Sequence, residues 1–181
     1  KIKYFQDLDQ HEWDECALKI GESTFYHSWG WLGYLSNYRN VKHHDSFICF
    51  KNDQTPLGIV PMGCTFYEDK QYSEISFDGV PCATPALSQL IPSSRKKLLD
   101  SIFQWIQNYA LEHNVKTIKL EQHPINIQAC HGEDLHYKSS YELLRYQMMY
   151  SVENTIVIDL RKSIETLLSE VNQYHRKNIK Y

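Results

Sequence analysis

Residues 46–77 read SFICFKNDQTPLGIVPMGCTFYEDKQYSEISF, and this stretch decides the fold. Residues 46–51 alternate as a strand. Asn52, Asp53, Gln54, Thr55 and Pro56 form a turn, and residues 57–67 follow as a second strand. Glu68, Asp69 and Lys70 make another polar turn before a third strand near residues 72–77. Strands joined by such short turns predict an antiparallel meander.

Upstream, residues 9–20 have a helical pattern. Asp9 is placed to cap it, Trp13, Cys16, Ala17 and Ile20 share one face, and Gly21 closes the end. The polar and aromatic connector Ser23-Thr24-Phe25-Tyr26-His27 leads to a second short helix after Ser28, with Trp31, Leu32 and Leu35 turned inward. Downstream, residues 78–92 hold Gly79, Pro81, Pro85 and Pro92 among small residues, which predicts an irregular loop on the surface, a usual place for binding groups.

Ser93 or Ser94 is placed to cap the longest helix, which runs to about residue 114. Its stripe is Leu98, Leu99, Ile102, Phe103, Ile106, Tyr109 and Ala110. Residues 115–121 read as a strand, residues 122–140 give no clear pattern, and residues 141–151 read as a strand or a helix, with the surrounding pattern favouring strand. Residues 155–181, TIVIDLRKSIETLLSEVNQYHRKNIKY, read as a strand over 155–160 and a helix capped by Ser163, with Glu165 in its first turn. Ile164, Leu167, Leu168 and Val171 share one face of that helix, which then turns basic at His175, Arg176, Lys177 and Lys180. The whole predicts an α+β or α/β layer arrangement, α+β preferred, with one mixed, largely antiparallel sheet and helices packed on it.

The length of 181 residues suits one domain or little more, and 42% apolar content is enough for a core. Thirteen tyrosines and four tryptophans suit sheet and pocket walls. A formal net charge of −3 supplies no global field for nucleic acid or an acidic membrane. No apolar run approaches the roughly 20 residues of a membrane helix. The five cysteines, Cys16, Cys49, Cys64, Cys82 and Cys130, are odd in number and lack CxxC spacing, which suggests reduced thiols in a cytoplasmic protein.

The glycines never occur as GxG, so neither a dinucleotide nor a P-loop phosphate cradle is written here; GxSxG and HExxH are absent too. Among nine histidines, His43 and His44 point to opposite faces of a strand, and His131 and His136 lack helical metal spacing, so no metal is expected. Cys82 in the Pro-rich loop is the one cysteine to weigh as a nucleophile, against the plainer reading of a small core filler. Trp31 could line a ligand groove, and Trp29, two residues away, cannot share its helix face. The basic end at His175, Arg176, Lys177 and Lys180 reads either as a phosphate contact or as a solvated helix terminus favoured by the helix dipole.

Taken in order, TFYHSWGWLGYL, FICFKNDQTPLGIVPM, ISFDGVPCATP and TIVIDLRKSIETLLSEVNQYHRKNIKY resemble the first half of Fem-type transferases. That bacterial family includes peptidoglycan-bridge aminoacyltransferases and related acyltransferases of cell-envelope and exopolysaccharide pathways, built from two tandem GNAT-like domains. The resemblance implies a GNAT-like domain over residues 1–160. Residues 161–181 become a basic helix leading toward a second such domain that this sequence does not contain. It implies N- or O-acyl transfer to a small-molecule, glycan or peptide precursor, with this half shaping the acceptor cleft and inactive alone.

By the same resemblance, Ser76, Asp78, Gly79 and Pro81 match the loop at the acceptor cleft, with Gly79-Val80-Pro81 where the family has a Gly-Pro pair. Arg176, flanked by His175 and Lys180, matches an arginine that holds a phosphate of the acceptor. Leu32-Gly33-Tyr34 stands where a lysine serves phosphate contact, and the GNAT pyrophosphate signature is absent. No cofactor is then expected on this segment, nor nucleic acid; an acyl-CoA or aminoacyl-tRNA donor belongs to the other half. The competing expectation is a self-contained α+β binding or interaction module without chemistry.

Overall fold

The computed structural model describes residues 1–38, 40–51, 54–122, 143–149 and 162–170. The chain divides into two compact units, Lys1–Met149 and Tyr150–Tyr181. The first begins with β1 (Ile2–Tyr4), a short 3-10 turn and α1 (Gln10–Lys19). Asp9 caps α1 as expected: its Oδ1 accepts the Glu12 N–H at 2.8 Å, and Glu12 Oε2 accepts the Asp9 N–H at 3.2 Å. Trp13 is fully buried, with its indole N–H donated to the His27 carbonyl at 2.8 Å. α2 (Trp29–Ser36) starts where Ser28 Oγ accepts the Trp31 N–H at 3.3 Å, and it buries Leu32 and Leu35.

The meander is present but bent. β2 (Val41–His44) and β3 (Phe47–Phe50) form one arm; β4 (Pro56–Val60) and β5 (Gly63–Tyr67) form the other. The strand expected over residues 57–67 is therefore two strands, and the one mixed sheet expected is divided: β1, β3 and β4 lie side by side in a first sheet, and β2 pairs with β5 in a second. Pro61 cannot donate to a ladder, so pairing breaks there. At the break Ser46 Oγ accepts the Met62 N–H at 2.8 Å, and Met62 O accepts the Asp45 N–H at 3.0 Å. Two arms thus bend at one level.

β6 (Tyr72–Ile75) continues the second sheet and pairs in parallel with β9 (Val115–Ile118). Residues 78–92 do not form the expected surface loop. They contribute β7 (Cys82–Ala83), parallel to β10 (Leu120–Glu121), and β8 (Ala86–Leu87), antiparallel to β4. Cys82, Ala83, Ala86 and Leu87 are all buried, because these pairings satisfy backbone groups that a loop would have to leave in water. Gly58 permits the β4–β8 approach: a Cβ there would stand 2.7 Å from a Leu87 methyl.

α3 (Pro92–Glu112) is capped by Ile91 rather than by Ser93 or Ser94, with Pro92 in the first turn, where its missing N–H has no helical role. Its buried face, Leu99, Ile102, Phe103, Ile106 and Tyr109, is the predicted stripe. Residues 143–149 are helical and turn structure, not strand; Tyr146 stacks on Phe103 with ring centroids 4.0 Å apart. In the second unit, α4 (Ile164–Glu170) is capped by Ser163, whose Oγ accepts the Thr166 N–H at 3.2 Å. The strand expected over residues 155–160 and the basic residues His175, Arg176, Lys177 and Lys180 lie outside the described residues, as do Cys130, His131 and His136. Among the described residues no helix is long and apolar enough to cross a membrane.

Candidate functional site

Lys119 is the one residue between β9 and β10, yet six residues separate β6 from β7 on the neighbouring strand. The backbone of Lys119 spans the gap: its N–H donates to Ile75 O at 3.0 Å and its carbonyl accepts the Cys82 N–H at 3.0 Å. Residues 76–81 are therefore an excursion that leaves the ladder and returns to it. Such interruptions re-aim side chains that a regular strand would fix.

The excursion is tightly tied. Phe77 and Val80 exchange backbone hydrogen bonds at 2.8 and 3.1 Å. Between them Asp78 and Gly79 take φ of 53° and 88°, the left-handed region. Thr65 Oγ1 donates to Ser76 O at 2.9 Å and accepts the Asp78 N–H at 2.7 Å. Ser76 Oγ accepts the Gly79 N–H at 3.1 Å, and Asn40 donates from its amide to Asp78 Oδ1 at 2.8 Å.

Beneath this turn lies Glu74, a carboxylate only 3% exposed. Ser76 Oγ donates to Glu74 Oε1 at 2.6 Å, Lys119 Nζ lies 3.0 Å from Oε2, and Tyr67 Oη is 3.5 Å from Oε1. The Glu74 contact holds the Lys119 ammonium above the usual lysine range. Burial, followed by the Glu74 charge, pushes the Tyr67 phenol up. At neutral pH both are hydrogen donors. The set thus offers a buried carboxylate that can accept a proton, beside an ammonium and a phenol that can stabilise negative charge.

Ser76, Asp78 and Gly79, expected to act together, meet in this turn, and Pro81 is half-buried at its exit. Trp31 of α2 is in an aromatic row that begins before the helix and ends after it: its ring is 5.3 Å from Phe25, 5.7 Å from Tyr26 and 5.6 Å from Tyr34, and Tyr34 is 5.7 Å from Tyr38. The Tyr38 phenol is raised, first by its hydrogen bond with Tyr34. Sequence reasoning missed Glu74, Tyr67, Lys119, Thr65 and Asn40. One signal was present: Tyr72, Glu74, Ser76 and Asp78 alternate as polar residues along a strand that belongs to the core.

Other groupings resolve plainly. Cys82 is 0% exposed and burial pushes its thiol up to about 12, so it fills the core and offers no nucleophile. Among the described residues no group of three or more His, Cys, Asp or Glu could hold a metal. The approach to α3 is internally satisfied: Leu87 N–H donates to Glu22 Oε2 at 3.0 Å, Ser88 N–H to Leu57 O at 2.9 Å, and Arg95 Nη1 lies 2.6 Å from Glu22 Oε1.

No protein-family model matches the chain, and no curated protein matches it. Among solved structures, that of a probable acetyltransferase superposes with TM-score 0.53 and 10% identity, over 88% of this chain and 98% of that chain. The ribosomal-protein-alanine N-acetyltransferase of Brucella melitensis biovar Abortus 2308 gives TM-score 0.48 and 11% identity, over 88% and 97% of the two chains. Of these two the first bears on the fold. The architecture is GNAT-like, in agreement with the α+β expectation.

Proposed function

We propose that this chain is part of an acyl- or aminoacyltransferase of the Fem type, in which the excursion over residues 76–81 walls the acceptor cleft. The observation that supports this reading most is the buried Glu74 carboxylate held against Lys119 under that turn. An acceptor amine or hydroxyl attacks the acyl carbon of the donor, and the new C–N or C–O bond forms as the proton passes to Glu74. The carbonyl oxygen gains negative charge near the Tyr67 phenol and the Lys119 ammonium, and collapse expels the donor's thiol or hydroxyl with a returned proton. Catalysis of this kind is positioning plus a local base.

The donor in this reading is acyl-CoA or aminoacyl-tRNA, engaged by a second GNAT-like domain of the same polypeptide in the cytoplasm. The acceptor is a small molecule or a glycan or peptide precursor of the cell envelope, its phosphate met by Arg176 with His175 and Lys180. The test is transfer from labelled acyl-CoA and aminoacyl-tRNA to amine-bearing envelope precursors, with the full-length protein as catalyst. Glu74→Gln is expected to lower kcat by about 10²–10⁴-fold. An unchanged kcat would remove Glu74 from the chemistry. Unchanged acceptor affinity in Arg176→Ala would remove the phosphate role.

A second reading, a binding module without chemistry, is favoured by the approach to α3. A helix N-terminus binds phosphate through free N–H groups. At the start of α3 Pro92 has no N–H to give, and ahead of the helix the Leu87 and Ser88 N–H groups are given to protein acceptors. Absence of transfer from every donor, with the acceptor still bound, would favour this module.

A further inference from the structure

Strand alternation puts Thr65, Tyr67, Tyr72, Glu74 and Ser76 on one face of the second sheet and Cys64, Phe66, Ser73 and Ile75 on the other. Cys64 meets Tyr109 of α3, so α3 covers that other face. Beside the C-terminal end of α3 an open groove of about 280 Å³ is lined by Tyr4, Asp45, Trp105, Tyr109, Glu112 and His113, with two side-chain amides completing it. It lies away from the Glu74 turn.

Its walls are rings and carboxylates. Trp105 stacks on Tyr109 at 5.3 Å, Tyr109 on His113 at 4.1 Å, and Tyr4 is tilted against Trp105 at 6.4 Å. Asp45 is fixed by the Tyr109 hydroxyl, which donates to its Oδ2 at 2.6 Å. No lysine or arginine lines the groove. A ring face carries partial negative charge, so rings and carboxylates together attract a cation and repel an anion. Among the described residues no three metal-binding side chains converge, which disfavours a metal ion. The ring faces of Tyr4 and Trp105 offer apolar area that suits the methyl groups of an alkylated ammonium, while the carboxylates balance its charge.

We propose that this groove binds an N-alkylated organic ammonium group, with Trp105 and Tyr4 against its methyl groups and Asp45 and Glu112 balancing its charge. The site is independent of the acyl-transfer reading.

The experiment is isothermal titration of the full-length protein with choline and with its uncharged tert-butyl analogue, at matched ionic strength. Saturable choline binding is expected, with the neutral analogue about tenfold weaker. Glu112→Gln, an exposed change that leaves the core alone, should weaken choline severalfold and leave the analogue unaffected. Trp105→Phe should weaken choline in a protein whose circular dichroism is unchanged. Glu74→Gln should leave choline binding intact, so loss of the transferase reading would not touch this site. Equal affinity for choline and its neutral analogue, or no saturation with choline, would overturn the proposal.

Discussion

The Lys119 ammonium stands 3.0 Å from the carboxylate of Glu74, and the two are exposed unequally: 42% for the Lys119 side chain, 4% for that of Glu74. The pair is half in water at one end and dry at the other. Removing the lysine strands a buried charge, whereas removing both does not. Lys119→Met is expected to lower stability by about 1–2 kcal/mol, a value discounted for solvent screening of the exposed end. The double variant Glu74→Gln with Lys119→Met should recover most of that loss in urea denaturation. Because the folded lysine value is raised above 10.5, the contribution is complete below that pH and is lost as the pH climbs through the folded value.

His44 titrates in the opposite sense. Its ring lies 4.1 Å from Phe5, and burial lowers its value from 6.5 to about 4, with Asp45 opposing weakly. The unfolded chain therefore takes a proton that the folded chain refuses. Stability is full above pH about 6.5 and falls by about 3 kcal/mol in total as the pH drops toward 4. Thermal unfolding across that range should show the slope, and His44→Gln should flatten it.

Gly79 holds φ of 88°, and a Cβ there would meet only the Tyr67 hydroxyl, at an ordinary 3.6 Å. The penalty for Gly79→Ala is thus one of backbone conformation, about 1–2 kcal/mol. A denaturation curve measures it. On the transferase reading the same variant should raise KM for the acceptor, since Gly79 positions the Ser76 hydroxyl.

Native alkylation should separate the described cysteines. Cys49, Cys64 and Cys82 are buried and Cys16 is half-buried. Peptide mass analysis after brief treatment with iodoacetamide at pH 8 should find Cys16 modified and Cys82 protected until the chain is unfolded. Rapid modification of Cys82 in folded protein would contradict its place in the core.

Local signals were legible where the physics is local. Asp9 and Ser163 were identified as caps, and a helix was expected after Ser28, because a short polar side chain before an apolar period favours a helix start. The stripe of α3 was legible for the same reason. The bend at residues 61–62 was not, since apolar alternation continues on both sides of it. Neither was the burial of residues 82–87, which depends on β10 and β4, far away in sequence. Of the site, Ser76, Asp78, Gly79 and Pro81 were picked out through the family resemblance, while the residues by themselves read as a strand up to 77 and an irregular loop after it. Lys119 was not picked out, because a parallel pairing such as that of Ile75 with Ile118 leaves no mark on either segment alone.

The bend itself sets a rule about chain length. A serine hydroxyl stands in for a ladder position at Met62, so the joint has no slack. One residue added between Val60 and Gly63 would reverse every side chain of β5, turning Cys64 and Phe66 toward Glu74 and Thr65 toward α3. Insertions are tolerable at the polar turn of residues 68–70. At Pro61 and Met62 the spacing admits none.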